Sequence, residues 1–108
     1  ARKVNVGALG TLPDPGTLTG HRAQVNQSLL FEVTGSNTGS VYGSDVYTDD
    51  SNLATAAVHA GVLQVGQKGV VKVTVLPGQG NYPATTRNGI ASNSWGAWTG
   101  SFRVESAR

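Results

Sequence analysis

Asp45, Asp49 and Asp50 form the one acidic cluster in this 108-residue sequence. Carboxylates this close together can ligate a hard cation such as calcium, which collects several carboxylate and carbonyl oxygens. Their spacing is not that of an EF-hand loop. They stand just ahead of an apolar segment at residues 52 to 60. There the side chains of Asp49, Asp50 and Ser51 are suited to cap a helix, accepting hydrogen bonds from its free backbone donors. The carboxylates also suit the positive end of a helix dipole. Capping is the simpler reading, and a calcium site at Asp45, Asp49 and Asp50 is the alternative.

His59 is the second candidate for chemistry. A general acid or base needs a partner within hydrogen-bond reach. Its neighbours on one helical stripe are Thr55 and Asn52, and neither makes a relay. The expectation is a structural histidine whose ring bonds to loop backbone. His21 adds no metal-spaced partner. Ser28, Ser51 and Ser101 lack the setting of a nucleophile elbow. Glu32 and Glu105 fall on outward faces of strands, with no motif to support an acid–base pair. The absence of cysteine excludes disulfides and thiolate metal sites. The sequence therefore predicts no enzyme, no cofactor and no metal.

Recognition residues are easier to find. Trp95, Trp98 and Tyr82 fall in or beside a polar, glycine-rich stretch, and rings on loops stack on sugars or insert at interfaces. The polar turn 78 to 93 adds Asn81, Thr85, Thr86 and Arg87. Trp95, Arg87, Tyr82 and Asn81 are thus the candidate ligand-binding residues, with a plain solvated loop as the alternative. Trp98 is expected in the core and Trp95 partly exposed. Tyr42 and Tyr47 are expected to pack on the helix. The eight basic residues are scattered, unlike the patch that nucleic acid requires. No apolar run reaches the length of a membrane span. No signal peptide is recognisable, and a start at Ala1 points to a processed protein or an excised piece.

The elements that must position these residues are short. Fifteen glycines and a charged fraction of 13% accompany brief valine-rich runs, the pattern of tight turns between strands. Val4 and Val6 suit a short edge strand, and Pro13-Asp14-Pro15-Gly16 is turn chemistry. Strands are expected at 29 to 34, with Leu29, Phe31 and Val33 on one face, and at 70 to 76, with Val71, Val73 and Val75 inward. Residues 41 to 47 read as an extended piece interrupted by Gly43. A last strand, 97 to 105, puts Gly100, Phe102 and Val104 on one face and Ser101, Arg103 and Glu105 on the other. The helix at 52 to 60 is apolar almost all round and ends at Gly61. So little polar surface belongs inside a domain. The fold class expected is α+β, mostly β, with a buried helix among strands. The chain is long enough for one domain.

Several stretches resemble the LCCL domain. They are Val41-Tyr42-Gly43, Asp45-Val46-Tyr47-Thr48-Asp49-Asp50-Ser51, Ala56-Ala57-Val58-His59-Ala60-Gly61-Val62, Val73-Thr74-Val75-Leu76-Pro77-Gly78, Asn88-Gly89-Ile90 and Gly96-Ala97-Trp98-Thr99-Gly100-Ser101-Phe102. The resemblance covers roughly residues 29 to 105. It implies a central helix wrapped by two small antiparallel sheets, with His59, Asp49, Asp50 and Ser51 as structural motif residues. The division it implies is an N-terminal extension, 1 to 28, with an edge strand and turns, followed by an LCCL-like domain, 29 to 108, in one compact unit. Animal members carry a cysteine where Ala54 stands, so this chain looks like a cysteine-free relative of bacterial type. The resemblance implies a non-catalytic binding or adhesion module of a multidomain protein that is secreted, periplasmic or at the cell surface. The ligand expected, from the loop aromatics and the resemblance together, is a glycan, a lipid A-type lipopolysaccharide or a protein. The alternative is a structural or accessory spacer beside a catalytic domain.

Overall fold

The computed structural model describes residues 10–107. Its strands are β1 (Thr11–Pro13), β2 (Ser28–Thr34), β3 (Gly43–Ser44), β4 (Val46–Thr48), β5 (Lys68–Pro77), β6 (Thr86–Arg87), β7 (Ile90–Ala91) and β8 (Gly100–Ser106). The helix α1 spans Leu53–His59. The fold is α+β and mostly β, as the residue patterns predict.

The two sheets are unequal. One has six strands in the order β1-β2-β5-β8-β4-β3, and the other is the hairpin β6-β7. The larger sheet is not wholly antiparallel, because β1 pairs with β2 in parallel. The strand expected at Val4 and Val6 lies outside the described residues. At this edge stands β1, which includes Pro13 from the segment expected to be turn. An edge strand tolerates a residue with no N–H to donate.

Alternation in β2, β5 and β8 builds the floor of the core. Register sets Leu29 beside Val73 and Val73 beside Val104, and it sets Val75 beside Phe102 and Phe102 beside Tyr47. Phe31, Val33, Val71, Val73, Val75, Phe102, Val104 and Tyr47 are all buried. Paired residues share a face, so this is one continuous apolar row. The other face is covered at one end. Ser101, expected outside, is buried there and meets the Tyr82 hydroxyl at 2.6 Å. The piece expected to run extended from 41 to 47 instead folds back at Asp45 (φ 68°), pairing β3 with β4.

Every residue of α1 is buried. At seven residues it would not hold its shape alone in water, so packing holds it. Leu53, Ala54, Ala56 and Ala57 join the core with the sheet valines. The N-cap is Asn52, and not Asp49, Asp50 or Ser51 as expected. The Asn52 Oδ1 accepts from the Thr55 backbone N–H (2.9 Å) and from the Thr55 hydroxyl (2.8 Å). Leu53 N–H donates to Gly16 O at 2.8 Å, which satisfies another first-turn donor. At the far end Gly61 adopts φ 82°, a left-handed turn that glycine takes without cost.

Candidate functional site

The polar stripe of α1 faces protein. The Thr55 hydroxyl accepts from Gly39 N–H at 3.0 Å. His59 is fully buried, with Nε2 3.2 Å from Thr85 O and Nδ1 2.9 Å from the Tyr47 hydroxyl. A carbonyl only accepts, so Nε2 carries the proton and Nδ1 accepts from Tyr47. Burial pushes the Tyr47 phenol up to about 12, which keeps that donor protonated. The Asn88 side chain donates to His59 O at 3.0 Å. Every polar atom of His59 is thus committed inside the fold, and no path leads from it to a substrate.

The three aspartates do not converge. Asp45 pairs with Arg87 at 2.6 Å across an exposed surface. The hydrogen bond from Arg87 holds the Asp45 carboxyl below its usual range. Asp49 is buried and takes a two-pronged bond from Arg22, Nε at 2.6 Å and the terminal nitrogen at 2.8 Å. It also accepts from the Trp98 indole N–H at 2.9 Å. Burial alone would push its carboxyl up, but the bonds from Arg22 and Trp98 outweigh that and hold it down. Gly100 makes this cluster possible, because a Cβ there would lie 2.2 Å from the Asp49 Oδ2. Asp50 is exposed and makes no hydrogen bond or ion pair with the described residues. No three metal-ligating side chains cluster among the described residues.

A cleft of about 220 Å³ lies beside that aspartate, lined by Tyr42, Thr48, Asp50, Trp95 and Trp98. Backbone pairing assembles it from distant segments. Gly43 N–H donates to Asn93 O (2.9 Å) and Asn93 N–H to Val41 O (2.7 Å), which fixes Tyr42 beside the 93–98 loop. Tyr82 and Trp95 exchange two backbone bonds, 2.8 and 3.0 Å. Trp98 N–H donates to Gln79 O at 3.0 Å. Below, Tyr42 N–H donates to the Ser51 hydroxyl at 2.9 Å, tying the tyrosine to the turn that carries Asp50. The rings meet edge to face: Tyr42 and Trp95 at 5.7 Å and 75°, Trp95 and Trp98 at 6.3 Å and 81°. Trp95 is 47% exposed, whereas Trp98 is half-buried and does not sit in the core.

Of the four predicted ligand-binding residues, Trp95 alone lines this cleft. Tyr82 is fully buried, its hydroxyl spent on Ser101 and on Gln79 N–H at 2.9 Å. A phenol with both an apolar body and a satisfied tip belongs in a core. Arg87 is held by Asp45, and Asn81 is exposed away from the cleft lining. Of the two tyrosines expected on the helix, Tyr47 bonds to His59 while Tyr42 forms a cleft wall. The signal for the site was the pair Trp95 and Trp98, three residues apart in a loop rich in small residues. Tyr42 and Thr48, far away in sequence, carried no such signal.

The profile of the LCCL domain family matches residues 23–102. The chain belongs to the LCCL domain family. Human cochlin is 45% identical over 65 residues, 60% of this chain and 12% of cochlin. Human vitrin is 42% identical over 64 residues, 59% of this chain and 9% of vitrin. The fission-yeast protein named transcriptional regulatory protein rxt3 is 41% identical over 59 residues, 51% of this chain and 17% of its own length. In each relative the matched segment is thus a small part of a longer chain. No helix among the described residues is long and apolar enough to cross a membrane.

Proposed function

We propose that this LCCL domain is a non-catalytic recognition module of an exported multidomain protein, and that its ligand seats in the Tyr42–Trp95–Trp98 cleft. One observation carries the reading. Three aromatic rings and a carboxylate line an open cleft on a loop that backbone bonds hold at both sides. A preorganised apolar wall with few polar groups is the usual form of a small-ligand site. The inaccessible His59 supports the non-catalytic part. Export rests on the secreted setting that the family resemblance implies.

The open ring of Trp95 is the support for a glycan ligand, since a sugar face stacks on indole. The phosphates of a lipopolysaccharide find less. Arg87 is neutralised by Asp45, and the cleft itself carries an anion. The test is a glycan array and a small-molecule panel read against wild type, Trp95→Ala and Arg87→Ala. Hits lost in Trp95→Ala and kept in Arg87→Ala are expected. Hits that survive Trp95→Ala would overturn the cleft, and a blank panel would favour the spacer role.

A further inference from the structure

We infer that the cleft selects a small alkylammonium compound, quaternary or multiply methylated, caged by Tyr42, Trp95 and Trp98 and paired with the Asp50 carboxylate. This rests on the recognition cleft proposed above, and replaces the glycan with a different ligand chemistry. Ring arrangement is the first ground. Successive rings stand at 75° and 81°, so they form walls of a corner and not one flat platform. A sugar gains most from one flat platform, whereas a compact cation gains from several ring faces at once. A cation within about 6 Å of an aromatic centroid is drawn by the ring's quadrupole. Trp98 already holds one cation in this way, the Arg22 guanidinium at 5.9 Å.

Charge is the second ground. Arg22 pairs with Asp49 and also interacts with Asp50 through space, so one cation faces two carboxylates. That leaves Asp50 as the net charge at the cleft, a local anion on a chain whose formal charge is +2. Two of the other polar groups at the cleft are committed, while the Tyr42 hydroxyl and the Trp95 indole N–H stand beside Asp50. The Thr48 hydroxyl lies 3.0 Å from that of Ser51, and the Trp98 indole N–H is given to Asp49. A primary ammonium is strongly hydrated and has three donors to satisfy. One carboxylate does not replace that water, whereas a methylated ammonium has little of it to lose. Size agrees. At about 220 Å³ the cleft falls below the roughly 300–1,000 Å³ of sites for drug-sized ligands.

The experiment is a ¹H–¹⁵N NMR titration of the domain with choline, with phosphocholine, with 3,3-dimethylbutan-1-ol and with methyl glucoside. The alcohol has choline's shape with carbon in place of the charged nitrogen. Choline should shift Tyr42, Asp50 and both indole signals, with Kd about tenfold below that of the alcohol. Phosphocholine should bind more weakly than choline, because its phosphate meets Asp50. Asp50→Asn should weaken choline severalfold, and Trp95→Ala should abolish saturation. Equal binding of alcohol and choline would overturn the inference, as would phosphocholine binding at least as tightly as choline or no effect of Asp50→Asn. Saturation by the glucoside alone, lost in Trp95→Ala, would overturn the cation and leave the recognition cleft standing. Failure of all four, together with array hits that ignore Trp95→Ala, would overturn both.

Discussion

Tyr47 and His59 meet edge to face at 5.6 Å, and Trp95 and Trp98 do so at 6.3 Å. The ring geometry is nearly the same, yet the two pairs serve opposite ends. In the first pair both residues are fully buried and each polar side-chain atom has a partner: Tyr47 to His59, His59 to Thr85. In the second, Trp95 is open and the Asp50 carboxylate in the same cleft makes no hydrogen bond or ion pair with the described residues. A satisfied cluster has nothing left to offer a ligand and contributes to stability. An unsatisfied one contributes little to stability and keeps its capacity for recognition. Asp49 lies between the two regimes, since it closes the core end of Trp98 while leaving the ring free to line the cleft.

That contrast can be broken first on the buried side. Leu53→Ala should cost about 2–5 kcal/mol in urea unfolding, because it opens a cavity beside the sheet. Asp49→Ala should cost about 2–4 kcal/mol, since it strands Arg22 and the Trp98 indole together. Its carboxyl is held below the usual 3.8, so the unfolded chain takes up that proton first as pH falls. The stabilisation is therefore complete above about pH 5 and fades as pH drops through and below 4. Acid melts of Asp49→Asn should be flatter over that window than those of wild type. Tyr47→Phe leaves the His59 Nδ1 without its donor and should cost about 1–2 kcal/mol. On the open side, Trp95→Ala should change stability by no more than about 1 kcal/mol.

Much of the fold was legible before any coordinates. The helix announced itself because seven consecutive residues had almost nothing polar to show solvent, and β5 because valines alternate through it. The polar details were not legible. Asp, Ser and Asn all cap helices, so composition did not single out Asn52 from Asp49, Asp50 and Ser51. Asp49 went instead to Arg22, 27 residues away in sequence, a contact no local pattern encodes. Tyr82 and Trp95 looked alike as loop aromatics. Burial separated them, and it depends on which backbone bridges form. The cleft needed Tyr42 beside a loop some fifty residues later, and the bridge at Asn93 supplies that placement.

The separation between core and cleft is tested most directly by thermal melts of wild type, Tyr47→Phe and Trp95→Ala, each with and without choline. A ligand that binds only the folded state raises the melting temperature. The account predicts that Tyr47→Phe melts lower but keeps the choline-induced rise, while Trp95→Ala melts near wild type and shows none. A rise that persists in Trp95→Ala, or that vanishes in Tyr47→Phe, would contradict it.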